Sequence, residues 1–532
     1  MLLSRLRAWA SKLMTSTWAL SSMGVRPWLF LCAVIVGAIA TTGLARSTPE
    51  AFPFGDVAVI EIAVGTTLRD AVALGPYSQF GWHHPGPMMF YLLAPFYALA
   101  GSNSIGLAVG ALVLNVGAIT TVGRMLTKHC GAVVAGTVTL VLSAYLLRCG
   151  DLATSVWNPH LIVLPLIAAI VFWAAAGAGS GASAVGAAAF VSFVAQSSVS
   201  VVPVAAAIVG GGLALSFWFG NSTTNAAESR QARWAWRALL VGLVLWLPPL
   251  LEQMNGRPGN LSKLLDFFIA SPSEGQDWSE AVWAWGDVTT AAVRPGFTLP
   301  WGQSYEHRGS WPTTMLALGQ LAALLSVAVL TWRRGQILFA RLCVLTALAS
   351  GVAAWSITRI TGTIGDYQIF WLSAVGALNL ALVAAAAFRR LSIAPQLVRQ
   401  VGWGAGVLIT ISLTAVAFGG LTRARRYGSG QRALQAPRLV VSNATVEYLE
   451  RHHVARPLFK LNSTSWLQAA GVVLHAWRRH GELAVSPEWV GVFGEALAPN
   501  GSEDVALEIG GGCPPGRFIV ASADGLCVYR SE

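Results

Sequence analysis

Two carboxylates and two imidazoles come directly after the first apolar run of the chain. Asp56 and Glu61 lie five residues apart, and His83 and His84 follow in the stretch 81–87. A carboxylate can act as a general base, and an imidazole can hydrogen-bond a charged group. The alternative is a solvated loop whose charges cap a helix. A spacing of five need not put both carboxylates on one helical face, so we expect only one of them to face a given site.

A second polar group follows the apolar run that ends near residue 148. Asp151 either caps the next helix or acts on substrate, and the residue types favour neither alternative. Asn158 is a candidate for substrate binding, although the sequence Trp157-Asn158-Pro159 is also a good helix start. His160 lies in that first turn, where a histidine more often serves the helix end than binds a ligand.

A third group lies where later apolar runs end. Glu252 and Arg257 belong to a loop rich in glycine, asparagine and proline, and an arginine there can bind phosphate through two hydrogen bonds. The alternative is that the loop only connects two helices and that its arginine lies at the level of the lipid headgroups. Arg359 and Asp366 are the only charges of a short turn and are expected to pair. Gln196 lies at the end of another apolar run, and its side chain either faces a cavity or has a packing role.

The composition shows what kind of chain must position these residues. Of 532 residues, 55% are hydrophobic and only 11% are charged, which is typical of a polytopic membrane protein. The net charge of +11 comes from short Lys/Arg clusters between apolar runs, as in cytoplasmic loops. A nucleic-acid partner is therefore not expected.

The apolar runs predict about eleven transmembrane helices. Residues 87–100 are apolar but short and contain two prolines, which favours a helix that rests on the membrane. With that stretch outside the count and the N-terminus inside, most basic clusters become cytoplasmic, as the positive-inside rule requires. The predicted spans are 27–45, 104–123, 130–148, 159–178, 183–196, 201–219, 238–251, 312–332, 338–357, 367–388 and 402–421.

This orientation puts the long polar segments on the extracytoplasmic side of the cytoplasmic membrane. Residues 1–422 form the membrane domain, with outer loops 46–102 and 252–311, and residues 423–532 form a small soluble α/β domain outside. We refer to the latter as the tail domain. We find no internal repeat of the kind that transporters show.

The tail domain combines strand and helix signals. Short strands are predicted at Leu439–Val441, Leu458–Leu461 and Phe518–Ala521, and an amphipathic helix at Trp466–His480. Cys513 and Cys527 form a disulfide if the tail domain lies in an oxidising compartment, or else remain a free pair.

The first outer loop resembles that of the GT-C glycosyltransferases, a superfamily that includes the protein O-mannosyltransferases and the lipid A aminoarabinose transferases. The resemblance rests on one basic-flanked helix, a Gly55-Asp56-x-x-x-x-Glu61 segment, and His84-Pro85-Gly86-Pro87 leading into an aromatic helix, followed by a later acid at Asp151. It covers residues 27–270. The chain departs from the family pattern because its two acids are not adjacent and Gly86 replaces a second proline.

The resemblance implies an all-α membrane enzyme that moves a sugar from a polyprenyl-phosphate donor to a glycan, lipid or protein acceptor, with inversion. It implies Asp56 as the general base and Glu61 as an acceptor ligand or a support for Asp56. His83 and His84 would donate to the departing phosphate. A divalent cation held by Asp56 and Asp151 is a further alternative, although no ligand spacing supports it.

Two other classes remain open from the sequence. A transporter or flippase would carry charges deep inside its spans and repeated halves, and the spans here are nearly free of charge. A non-catalytic membrane scaffold for assembly of the cell envelope would share the fold without the activity.

Overall fold

The computed structural model describes residues 53–177, 180–218, 225–270, 275–294, 297–305, 310–390 and 438–531. The predicted spans 27–45 and 402–421 and the predicted domain boundary at residue 422 lie outside these residues.

The described part of the membrane domain is built from helices. Their bounds are Gly55–Thr66 (α1), Met88–Leu99 (α2), Ser104–Cys130 (α3), Ala132–Cys149 (α4), Asn158–Leu161 (α5), Val163–Gly177 (α6), Gly181–Ser197 (α7), Val202–Trp218 (α8), Asn225–Asn255 (α9), Asn260–Leu265 (α10), Trp278–Ala291 (α11), Trp311–Arg333 (α12), Ile337–Ile357 (α13), Asp366–Ile369 (α14) and Leu372–Arg390 (α15). Single turns of 3-10 helix lie at Gly150–Ala153 and Val199–Val201, and a π-helical turn lies at Asp266–Ala270.

Eight segments of the described part are long and apolar enough to cross a membrane. They are α3, α4, α5 with α6, α8, α9, α12, α13, and α14 with α15. The predicted membrane-protein class is therefore confirmed, whereas the count of eleven stays a prediction. Helices α2 and α7 are apolar but shorter, so the predicted span 183–196 corresponds to a helix below the usual crossing length.

Burial separates the inner helices from those that face lipid. The apolar windows of α5–α6 and α14–α15 are each 78% buried, whereas that of α9 is only 6% buried. The side chains of α6 are apolar on every face and pack at the centre of the bundle. Several leucines of α9 are exposed, as expected for a lipid-facing surface.

The tail domain is a mixed sheet flanked by helices. Residues 438–451 are helical (α16), followed by α17 (Trp466–His480), α18 (Pro487–Phe493) and a 3-10 turn at Glu495–Leu497. The strands are Pro457–Leu461 (β1), Ala484–Val485 (β2), Val505–Gly510 (β3), Ile519–Ala523 (β4) and Leu526–Arg530 (β5). Their order is β2-β1-β3-β5-β4, with β1 parallel to β2 and β3 and with β5 antiparallel to β3 and β4.

The predicted α/β class of the tail domain is confirmed, with one element corrected. The predicted helix Trp466–His480 has the same bounds in the structure. The strand predicted at Leu439–Val441 is wrong, because this stretch is helical. Val441, Thr445 and Leu449 are fully buried, and their spacing of four is that of one helical face. Cys513 and Cys527 form a disulfide.

Helix α1 lies between the two parts of the molecule. Ile60 and Val64 belong to the apolar core of the membrane domain, whereas Ala58, Val59 and Ile62 belong to the core of the tail domain. The helix that carries Asp56 and Glu61 is therefore held on opposite sides by the two domains.

Candidate active site

Asp56 lies in the first turn of α1, where a carboxylate is favoured by the helix dipole. Its Oδ2 accepts a hydrogen bond from Trp157 Nε1 at 2.9 Å. Burial raises the pKa of Asp56, and the hydrogen bond from Trp157 opposes that rise. A carboxylate with a raised pKa is a better proton acceptor than a free one.

Two cavities meet at this carboxylate. Asp56, Tyr77 and Asn158 line both of them. Burial and the nearby Asp56 raise the pKa of Tyr77, so its phenol stays protonated and can donate. The Asn158 side chain donates to the carbonyl oxygen of Ser197 at 3.0 Å, which fixes its orientation.

The larger cavity has a volume of about 860 Å³ and is mainly apolar, with many aromatic side chains in its lining. Asp56 and Arg359 carry the only full charges in its described lining. The Arg359 guanidinium donates to the carbonyl oxygen of Phe268 at 3.0 Å. The expected ion pair between Arg359 and Asp366 is not formed. The aromatic lining consists of Tyr77, Phe80, Trp82, Trp157, Trp246, Phe267, Phe268, Trp355, Tyr367, Trp371 and Trp466.

The smaller cavity has a volume of about 520 Å³ and lies against the tail domain. One wall is α1 with residues 70–77, and the opposite wall is the turn Val492–Ala496 of the tail domain. Glu252 also lines it, so this sequence candidate lies in the same cavity as Asp56.

The two histidines have different surroundings. His83 Nε2 donates to the carbonyl oxygen of Gly491 at 2.7 Å, and its backbone makes a reciprocal pair of hydrogen bonds with the Asn260 side chain. The backbone N–H of Asn260 in turn donates to Glu252 Oε2 at 2.8 Å. Burial lowers the pKa of His83 to about 4. We conclude that His83 links the outer loop to the tail domain and is neutral at pH 7, whereas Glu252 bonds Asn260.

His84 is the histidine that faces the larger cavity. Its Nδ1 accepts a hydrogen bond from the Val199 amide at 3.0 Å, so the ring proton is on Nε2 and is available for donation. Burial, and to a smaller extent His83, lower the pKa of His84 to about 3. His84 is thus a neutral donor at pH 7 rather than a cation.

Glu61 lies away from both cavities and is fully buried. Arg478 of α17 forms an ion pair with Glu61 Oε1, and its Nε donates to that oxygen at 2.8 Å. Tyr97 donates to the same oxygen at 3.1 Å, and Ser104 donates to Oε2 at 2.7 Å. With these partners Glu61 joins the two domains and does not contact the space at Asp56.

The remaining candidates do not line either cavity. Asp151 lies in the 3-10 turn Gly150–Ala153, and its carbonyl oxygen accepts from the Thr154 and Ser155 amides. Gln196 is fully buried, and its Nε2 donates to the Leu245 carbonyl oxygen at 2.8 Å. Arg257 is exposed. Asp56 therefore does not share either cavity with Asp151 or Arg257.

Within the described ranges, no group of three or more His, Cys, Asp or Glu side chains could hold a metal ion. The residues proposed for a divalent cation, Asp56 and Asp151, do not line a common cavity.

Sequence reasoning missed residues that reach the site from distant parts of the chain. Trp466 of the tail domain lines the larger cavity, and Arg478 reaches Glu61 across 417 residues of sequence. Tyr77 belongs to no motif that would have marked it as a candidate. Trp157 was interpreted only as part of a helix start, although a tryptophan beside a polar turn could have signalled an indole donor.

Comparison with known proteins confirms the fold. No family model and no curated protein matches the sequence. The chain is similar in structure to ArnT from Cupriavidus metallidurans bound to undecaprenyl phosphate, with 13% identity, coverage of 95% of this chain and 98% of that chain, and a TM-score of 0.52. The apo state of the same protein gives 13% identity, the same coverage and a TM-score of 0.51. The chain thus has an ArnT-like fold, as the GT-C resemblance predicted.

Proposed function

We propose that the protein is a membrane glycosyltransferase that moves a sugar from a polyprenyl-phosphate donor to a hydroxyl-bearing glycan, lipid or protein acceptor. The observation that carries this proposal is the position of Asp56 where a large cavity rich in aromatic side chains meets a smaller cavity that contains further carboxylates. A transferase needs its base between two substrates, so that the acceptor hydroxyl and the donor carbon can approach the same point.

The larger cavity suits the lipid donor. Its aromatic walls offer an apolar surface to a polyprenyl chain, and Arg359 and His84 bring donors for a phosphate. The ArnT structure contains undecaprenyl phosphate, which supports the same class of ligand here. Asn158 lies between this cavity and the smaller one and is placed to orient the sugar.

The smaller cavity suits the acceptor. Asp56 takes the proton from the acceptor hydroxyl while the hydroxyl oxygen bonds to the anomeric carbon from the side opposite the phosphate. The bond between the anomeric carbon and the phosphate oxygen breaks, and the polyprenyl phosphate leaves with both electrons of that bond. The configuration at the anomeric carbon is inverted. The tail domain supplies one wall of this cavity and helps to recognise the acceptor.

The proposal places the protein in the cytoplasmic membrane, with the N-terminus inside and the tail domain outside. The disulfide between Cys513 and Cys527 supports an oxidising compartment for the tail domain. The distribution of basic clusters along the sequence supports the same orientation.

The experiment compares Asp56→Asn with the wild type in cells that lack the native copy. Lipid extracts are profiled for polyprenyl-phosphate sugars, and transfer of the accumulated donor is then measured with purified protein. We expect the variant to accumulate one donor and to lose transfer by about 10²–10⁴-fold. Glu447→Gln is the matched control, because Glu447 is exposed and pairs with Arg451 one turn away. Normal transfer by Asp56→Asn would remove Asp56 as the base.

A further inference from the structure

The charges around the smaller cavity all have one sign. Asp56, Asp70, Glu252 and Glu495 line it, and its described lining contains no lysine or arginine. Asp70 and Glu495 are exposed, whereas Asp56 and Glu252 are partly buried. The carboxylates are thus distributed from the mouth to the base, and they do not form a metal-binding group.

Two arginines close to this lining have other partners. The Arg69 guanidinium, next to Asp70, lies over the Trp477 ring at 5.7 Å from its centroid. Arg478 is held by Glu61. His83 is in the lining, but its Nε2 already donates to the Gly491 carbonyl oxygen. Lys263 does not line the cavity, but its charge adds to burial in lowering the pKa of His83. The described lining itself contains four carboxylates and no lysine or arginine.

This arrangement favours some acceptors over others. A carboxylate accepts hydrogen bonds from sugar hydroxyls and attracts an ammonium group, but it repels a phosphate or another carboxylate. A concave site with walls of one charge concentrates ions of the opposite charge and depletes ions of the same charge. The larger cavity differs because it has Arg359 as well as Asp56.

We infer that the acceptor is a neutral or amino-bearing glycan end, with no phosphate or carboxylate group beside the hydroxyl that receives the sugar. This inference rests on the proposed function, because it takes the smaller cavity as the acceptor site. Asp70 and Glu495 are then specificity-determining residues at its mouth, and Asp56 and Glu252 contact the hydroxyls inside.

The first measurement reads the charge of the cavity directly. A cysteine is introduced at Ala73, which lines the cavity, and for comparison at Ser463, which is exposed on the tail domain. Each protein is reacted with methanethiosulfonates that carry an ammonium or a sulfonate group, and rates are corrected for the parent protein. We expect the cation-to-anion rate ratio at residue 73 to exceed that at residue 463 by about tenfold or more. The ratio should fall towards the comparison value in Asp70→Asn/Glu495→Gln, two exposed changes that leave the fold intact.

The second measurement identifies the kind of occupant. Trimers of N-acetylglucosamine, of glucosamine and of galacturonic acid are tested for protection of the cysteine at residue 73 against an uncharged maleimide. We expect the neutral or the amino trimer to protect and the uronic acid trimer not to protect. An equal rate ratio at the two cysteines, protection chiefly by the uronic acid trimer, or protection by no trimer would overturn the inference.

These measurements need no sugar transfer. If Asp56→Asn retained transfer, the proposed base would be lost while the charge ratio stayed as expected. If Asp56→Asn abolished transfer but the uronic acid trimer protected best, only the acceptor class would be wrong.

Discussion

The two ends of α1 carry the same kind of side chain in opposite surroundings. At the first turn, Asp56 has a raised pKa and one hydrogen bond, from Trp157. Five residues later, Glu61 is fully buried, and Arg478, Tyr97 and Ser104 all donate to it. The surroundings of Asp56 favour uptake of a proton, whereas the negative charge of Glu61 is compensated by its donors.

The difference separates a chemical role from a structural one. A carboxylate that faces a cavity and whose charge is poorly compensated can exchange a proton with a ligand. A carboxylate surrounded by donors fixes the position of the groups around it. We therefore propose that Glu61 docks the tail domain onto α1, and that this docking places the turn Val492–Ala496 opposite Asp56.

The largest expected effect comes from removing the charge of Glu61. Glu61→Gln leaves Arg478 buried without a counter-charge, and we expect the free energy of unfolding to fall by about 3–5 kcal/mol. Thermal melts of the purified protein measure the loss, and limited proteolysis shows whether the tail domain has become loose. The double variant Glu61→Leu/Arg478→Met should recover most of the stability, because both charges are then gone. Wild-type melting of Glu61→Gln together with lost transfer would show instead that Glu61 acts on substrate.

A smaller effect is expected from Gly65, one residue before the end of α1. A Cβ added there would lie 2.2 Å from the ring of Trp477 in α17, so either the ring or the two helices would have to shift. Gly65→Ala should cost about 1–3 kcal/mol of stability through overpacking. Gly117→Ala in α3 is the matched control, because its Cβ would meet nothing within 4 Å. Equal melting temperatures for the two variants would contradict a close contact between α1 and α17.

The sequence alone predicted local structure well where periodicity was strong. Helix α17 is amphipathic in sequence, and its bounds were predicted correctly. The stretch Leu439–Val441 was wrongly predicted as a strand because a short run of leucine and valine has strand propensity, which burial on one helical face overrides.

The candidate site was harder to predict because it depends on contacts between distant residues. Asp56 could be selected from its residue type and its place after the first apolar run. Trp466 and Arg478 could not, because nothing in the sequence states that α17 packs against α1. Glu61 matched Asp56 in type and neighbourhood, and only tertiary contacts distinguish the two.

Stability should also distinguish Asp56 from Glu61 by the sign of the change. Because burial raises the folded pKa of Asp56 above its unfolded value, its negative charge opposes folding. That penalty is complete above the folded pKa and disappears as the pH falls below the unfolded one. Asp56→Asn should therefore raise the stability at neutral pH by about 1 kcal/mol, as often found for active-site residues. Melting curves at neutral and acidic pH test this, and a loss of stability at neutral pH would refute it.

The smallest expected effect is a shift in the pH dependence of transfer. Asp56 acts as a base only when ionised, so the rate falls on the acidic side as its carboxylate is protonated. The Trp157 indole lowers the pKa of Asp56, and Trp157→Phe removes that hydrogen bond while keeping a ring stacked near Trp301. The acidic limb should then move to higher pH.

Trp82→Phe is the matched control, because Trp82 lines the same cavity but its Nε1 has no hydrogen-bond partner in the described part of the chain. An equal shift in both variants would mean that the limb reports the polarity of the cavity, whereas a shift confined to Trp157→Phe would assign it to Asp56.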